Sequence, residues 1–208
     1  DSALSPAEFY LAASVFSERW SKFNSSFPPW EWRRSPISLD PEEGYLALES
    51  AIVPKSEANR LEADDNSDAE ESCSSALADE FNDETVFVHD DEIGRHHYDL
   101  HIVHSASYLV PVLFFRAYRP DGQPLLLDEI KADLDAESAR RLEEAPWMFI
   151  TQEEHPLLNR PWFTVHPCGT REWMKLLLSH GNKIQSYFTS WFSVVGQLFG
   201  FRIPLQMA

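Results

Sequence analysis

The chain is predicted to be an α+β protein, an antiparallel, meander-like sheet packed against helices. Three observations lead there. Near the N-terminus Phe9, Phe16, Trp20 and Phe23 recur at helical spacing, with Ala12 and Ala13 between them. β-rich runs joined by short polar links occupy the middle of the chain. A second helical stripe, Tyr187, Phe188, Trp191, Val194, Val195, Leu198 and Phe199, lies near the C-terminus. Strands grouped together, with helices before and after them, imply one sheet covered by segregated helices rather than alternating βαβ units.

Taken in order, Ser5-Pro6-Ala7-Glu8 reads as a helix start: a capping Ser, Pro at the first helical position and Glu to complete a capping box. This helix is expected to end near Asn24, before Phe27-Pro28-Pro29-Trp30. Tyr45 to Val53 predicts a strand with Leu46, Leu48 and Ile52 on one face, ended by Pro54. From Lys55 to Glu92 there are fourteen acidic residues, two basic ones and no sustained apolar period. This tract is expected to be a flexible acidic insertion within a single domain spanning 1–208. Tyr98–His104 and Tyr108–Tyr118, linked through Ser105-Ala106-Ser107, predict an antiparallel hairpin. Its second strand is almost wholly apolar, as a central strand would be, and Pro111 hints at a bulge. Asp128 is expected to cap a helix through Ile130, Leu134 and Leu142, broken at Pro146. Short strands are expected at Trp147–Thr151 and Pro161–His166, then a short helix after Thr170 with Trp173, Leu176 and Leu177 facing inward. Gly200 and Pro204 close the last helix.

Composition narrows the function. A chain of 208 residues with 43% hydrophobic and 13% aromatic residues can bury its own core. A formal charge of -17 argues against a nucleic-acid partner and against an anionic membrane surface. No apolar run reaches the roughly 18 residues of a membrane span, and no basic region followed by an apolar run opens the sequence. A reducing cytoplasm is therefore the expected location. With no long heptad pattern, a monomer is expected.

The densest chemistry lies in Pro161-Trp162-Phe163-Thr164-Val165-His166-Pro167-Cys168-Gly169-Thr170. A strand is broken by Pro167, Cys168 follows in the loop, and a helix start follows the cysteine. Backbone N–H groups there favour negative charge at the sulfur, His166 is two residues away, and Gly169 leaves space beside the thiol. Those are ingredients of nucleophilic catalysis. The competing reading is a buried, inert thiol, since a lone Cys near a His does not define a site. Cys73, set among Ser and Glu, reads as an exposed bystander. His89, His96, His97, His101 and His104 invite a metal reading, but no ligand spacing accompanies them. On a strand His97 and His101 would share a face with Asp99, with His96 and His104 opposite. Neither a metal nor another cofactor is expected, and no Gly-rich phosphate loop is present.

Four blocks then carry a resemblance. They are Tyr98-Asp99-Leu100-His101-Ile102-Val103-His104-Ser105-Ala106-Ser107-Tyr108 with Val110-Pro111-Val112-Leu113, then Ile150-Thr151-Gln152-Glu153-Glu154-His155-Pro156, then His166-Pro167-Cys168, then Ser190-Trp191-Phe192-Ser193-Val194-Val195-Gly196 with Ile203-Pro204-Leu205. In this order they resemble the autophagy-related protein ten family, the E2-like conjugating enzymes of autophagy. The resemblance covers Tyr98 to Leu205, is vaguer over the first helix and strand, and is absent from the acidic tract.

The resemblance implies an E2-like fold and a transferase that receives a ubiquitin-like modifier, autophagy-related protein twelve, from an E1-like enzyme, autophagy-related protein seven. It implies delivery to a lysine of autophagy-related protein five. It further implies that Cys168 carries the thioester, that His166 is the catalytic residue beside it, and that Tyr108 is a strand tyrosine contacting the acceptor. Ordinary ubiquitin E2 enzymes place His-Pro-Asn well before their cysteine, whereas here Cys168 directly follows Pro167. His166, helped by N–H groups after Cys168, is therefore the expected oxyanion donor. A sister autophagy enzyme that conjugates its modifier to phosphatidylethanolamine shares the His-Pro-Cys core. A non-catalytic E2-like interaction module and a cysteine hydrolase are the remaining alternatives.

Overall fold

The computed structural model describes residues 2–36, 38–52, 96–134, 140, 150–178 and 183–207. The acidic tract 55–92, with Cys73 and His89, lies outside them, as do Leu142 and Pro146.

Helix α1, Pro6–Phe23, begins with the capping box read from the sequence. The Glu8 N–H donates to Ser5 Oγ (3.3 Å) and the Ser5 N–H donates to the Glu8 carboxylate (2.7 Å). Its buried residues are Phe9, Ala12, Ala13, Phe16 and Trp20, one stripe of a 3.6-residue period.

Six strands follow: β1 Glu31–Arg34, β2 Gly44–Ile52, β3 His97–Ser105, β4 Val110–Tyr118, β5 Ile150–Glu154 and β6 Pro161–Val165. They form one sheet in the order β1-β2-β3-β4-β6-β5, with every neighbouring pair antiparallel. Helices α2 (Leu127–Asp133), α3 (Thr170–Leu177) and α4 (Lys183–Val195) and 3-10 turns at Gly196–Phe199 and Leu205–Met207 complete the described structure. The expected α+β class, an antiparallel sheet against helices, is what the chain forms.

Helices α1 and α4 cover one face of the sheet. Phe16 meets Phe192 at 5.6 Å between ring centroids, and Trp20 meets the same ring edge-on at 5.7 Å. Each such pair adds about 1 kcal/mol beyond its buried area. The opposite face carries a smaller cluster of Tyr45, Ala47, Val103, Val112, Phe114 and Trp162 under Leu157 and Leu158. Strands β3 and β4 are thus apolar on both sides, which explains the near-continuous apolar reading of β4.

Several expectations need correction. β1 was not foreseen, because Glu-Trp-Arg-Arg has no alternating apolar pattern; it is a charged edge strand whose one inward anchor is Trp32. A Cβ on Gly44, opposite Arg34, would come within 2.3 Å of Arg33 O, so only glycine permits this approach. In β2 a bulge between Leu48 and Ala51 shifts the phase. Ser50 takes φ 55° and its N–H donates to Asp99 Oδ1 (2.9 Å), so Ala51 rather than Ile52 joins Leu46 and Leu48 in the core. Pro111 makes no bulge: it pairs in register with His104.

Asp128 is the second residue of α2, not its cap; Leu126 holds that position, and Glu129 accepts its N–H (2.8 Å). The strand expected at Trp147–Thr151 is Ile150–Glu154, with 141–149 outside the described residues. In α3 Leu176 and Leu177 are 78% and 46% exposed, and Thr170 and Met174 are the buried residues. Leu178, just beyond α3, packs on the core instead. The phase of a two-turn helix is set by where the chain enters and leaves it, which periodicity over eight residues does not reveal.

The outer face holds two buried histidines. His101 and His155 are 3% and 0% exposed, with His101 Nδ1 3.2 Å from His155 Nε2. The Leu157 N–H donates to His155 Nδ1 (3.3 Å), which leaves the His155 proton on Nε2, where it donates to His101. Burial, followed by repulsion from His155, Arg116 and Arg33, pushes His101 down to about 3. Burial, then Arg116, pushes His155 down to about 4. An unfolded chain protonates both near 6.5, so it takes up protons while the folded state does not. Stability is therefore complete above that pH and declines as pH falls from about 6.5 toward 4, by up to about 1.4 kcal/mol per pH unit for each ring. Thermal melts between pH 7 and pH 5 should show this decline. His101→Phe should start lower, because the His155 proton loses its acceptor, yet fall less steeply; an unchanged slope would contradict the assignment.

Candidate active site

The antiparallel register of β4 with β6 places the motif. Leu113 pairs with Val165 and Phe114 with Thr164. Extended past the end of β6, that register brings His166 level with Val112 and Pro167 level with Pro111. The chain therefore leaves the sheet beside the start of β4 and so beside the β3–β4 turn. Pro167 has no N–H to continue a ladder, and the strand stops.

Cys168 is half-buried and outside any disulfide among the described residues. Its backbone N–H donates to His166 Nδ1 (3.1 Å). That bond fixes the imidazole over the loop and, in the neutral ring, leaves the proton on Nε2. Gly169 is the cap of α3 with φ 80° and ψ -14°, a left-handed conformation that glycine adopts without strain. Here the glycine turns the chain so that α3 begins two residues after the sulfur. The Thr170 N–H bonds Pro167 O (3.1 Å), and the Glu172 and Trp173 N–H groups both reach Gly169 O (3.0 and 3.2 Å).

The N–H groups of Cys168 and Thr170 are thus both engaged within the loop.

Tyr108 is not on a strand. It lies in the turn Ala106–Leu109, where Leu109 takes φ 54° and its N–H bonds Ser105 O (2.7 Å). Tyr108 is 40% exposed, and its ring stands edge-on to His166, 5.7 Å between centroids at 80°. The structure therefore brings His166 into contact with both the Cys168 backbone and the Tyr108 ring. A shallow cleft lined by Pro111, Val165, Pro167, Thr170, Trp173 and Val195 adjoins them on the core side.

The remaining histidines are dispersed. His96 Nδ1 meets Asp133 Oδ2 at 2.5 Å, where Tyr98 also donates (2.7 Å); His104 donates to Leu4 O (2.8 Å). Among the described residues no group of three or more His, Cys, Asp or Glu side chains is gathered as a metal would require, and no helix is long and apolar enough to cross a membrane. Sequence reasoning missed the His155–His101 pair and the contacts of Ser2 to Leu4, neither of which has a local pattern.

A half-buried thiol at a strand-to-helix junction, flanked by a fixed imidazole, is a layout suited to holding an acyl group. Comparison with known proteins defines the class: this is an E2-like transferase of ubiquitin-like proteins, acting in autophagy, that works with a ubiquitin-like modifier and an E1. Residues 8–206 match the family described as "Autophagocytosis associated protein, active-site domain", and the chain belongs to it. It is 45% identical to the ubiquitin-like-conjugating enzyme ATG10 of Arabidopsis thaliana over 217 residues, covering 100% of this chain and 96% of that protein. It is 45% identical to ATG10 of Homo sapiens over 114 residues, 53% of this chain and 52% of the human protein. A crystal structure titled "Autophagic E2, Atg10" aligns over 95% of this chain and 98% of its own, at 15% identity and a TM-score of 0.46.

Proposed function

We propose that Cys168 receives autophagy-related protein twelve from the E1-like autophagy-related protein seven and passes it to a lysine of autophagy-related protein five, in the cytoplasm. The observation that carries this reading is the convergence of Cys168, His166 and Tyr108 at one end of the sheet, in a chain similar to a plant ATG10 along its whole length.

The Cys168 thiolate attacks the carbonyl of the E1 thioester; the new C–S bond forms, the tetrahedral oxyanion collapses, and the E1 thiolate leaves. The acceptor amine then attacks the same carbonyl. As the isopeptide bond forms, the C–S bond to Cys168 breaks and the amine proton ends on the departing sulfur, which leaves as the thiol. Each step passes through an oxyanion, and His166 Nε2–H donates to it once the thioester occupies the sulfur. In this reading Tyr108, exposed beside His166, contacts the acceptor as its lysine approaches.

The sister reaction, transfer to phosphatidylethanolamine, is tested in the same assay. Charged enzyme is offered autophagy-related protein five in one tube and phosphatidylethanolamine vesicles in another. The expected result is a reductant-resistant conjugate with the protein acceptor alone. Lipid conjugation without protein conjugation would replace this reading with the sister one, and a charged enzyme that only hydrolyses would support a hydrolase.

A further inference from the structure

The segment before α1 makes contacts that capping does not require. Ser2 and Leu4 are 1% and 0% exposed. The Leu4 N–H donates to Leu109 O (2.8 Å), and Leu4 O accepts from His104 Nε2 (2.8 Å). Those two partners are the last residue of the β3–β4 turn and a residue at the end of β3, so Leu4 holds both sides of the turn that bears Tyr108. Ser2 Oγ donates to Arg171 O (2.7 Å), in the first turn of α3 and three residues past Cys168. Ser2 O accepts from Tyr187 Oη (2.6 Å), and Lys183 Nζ bonds Ala3 O, tying the same segment to α4.

We propose that Ser2–Leu4 is a positioning strap that sets the Tyr108 turn against the Cys168 loop and so governs discharge of the thioester. The inference rests on the proposed roles of Cys168, His166 and Tyr108. Between the turn and the loop, Tyr108 stands edge-on against His166. A ring contact of that kind is weakly directional, whereas hydrogen bonds to Leu109, His104 and Arg171 fix both banks of the site to one short piece of chain. Leu109 holds a left-handed backbone that few leucines adopt, and the Leu4 N–H bond to its carbonyl restrains it there. A displacement of the turn by about 1 Å is enough to lower a rate substantially when attack geometry matters. Charging depends on Cys168 meeting the E1 thioester and does not pass through Tyr108, so the strap acts on the second step.

Deleting residues 2–4 risks unfolding, because Leu4 is in the core. The test therefore uses Ser2→Ala combined with Tyr187→Phe, which removes two anchors and keeps the side-chain volumes. Charging by E1, modifier and ATP is measured on non-reducing gels, and discharge is followed as single turnover onto the acceptor protein. The same variants are made in a Tyr108→Ala background. The expected result is charging at the wild-type rate, discharge slower by about fivefold, and no further loss when Tyr108 is already alanine. Discharge at the wild-type rate, or a loss that simply multiplies with that of Tyr108→Ala, overturns the strap. Failure of the unaltered protein to charge overturns the proposed function instead, so the two failures are distinguishable.

Discussion

Replacing Cys168 by serine should abolish turnover and leave an oxyester that survives thiol reductant. The hydroxyl is a poorer nucleophile at neutral pH than the thiol, so loading slows. Once formed, the ester gives a poorer leaving group than a thiolate, so an amine no longer displaces it. Conjugate formation should fall on the order of 10³-fold or more, while the fold is retained. The retention follows from the position: Cys168 is half-buried in a loop shaped by Pro167 and Gly169, and its hydrogen bond to His166 uses the backbone N–H, which serine keeps. A serine variant that still turns over would make Cys168 a packing residue and move the thioester to another group.

His166→Ala should separate the two half-reactions. It removes the Nε2–H proposed to meet the oxyanion and also frees the Cys168 N–H that Nδ1 now accepts. Removing one oxyanion donor typically lowers a rate by about 10²–10³-fold. Discharge to the lysine should show this loss in full, because there the enzyme alone supplies the surroundings of the carbonyl. In charging, the E1 active site contributes as well, and the effect should be smaller. His166→Asn, which can both donate and accept, should recover part of the discharge rate; His166→Ala and His166→Asn falling equally would assign the histidine to loop shape rather than to the oxyanion. The readout is single-turnover discharge from enzyme charged beforehand and separated from E1.

Much of this was legible in the sequence, and for identifiable reasons. α1 and α4 are long enough for a stripe such as Phe9, Ala12, Ala13, Phe16, Trp20 to define a face, and Ser5 with Glu8 marks a start that the structure reproduces. The β3–β4 hairpin announces itself by two β-rich runs across a short link, and the Pro167-Cys168-Gly169 junction by residues that break a strand. Where the sequence misled, tertiary structure chose between equal local options. Ala51 replaces Ile52 in the core because a bulge at Ser50 changes the phase of β2, which no alternation pattern predicts. Tyr108 sits in a turn because a leucine, Leu109, accepts φ 54°, a conformation for which turn chemistry favours glycine or asparagine. β1 exists because β2 offers it a partner, not because Glu31–Arg34 has strand character of its own. The His155–His101 pair and the Ser2–Leu4 contacts join residues far apart in the chain, and only the assembled fold brings them together.

The most direct measurement is peptide mapping by mass spectrometry of enzyme charged with E1, modifier and ATP under non-reducing conditions. The proposed chemistry predicts a modifier adduct on the peptide containing Cys168, lost on adding thiol reductant, retained in Cys73→Ala and absent in Cys168→Ala. An adduct on Cys73, an adduct that persists in Cys168→Ala, or no adduct from a demonstrably charged E1 would contradict it.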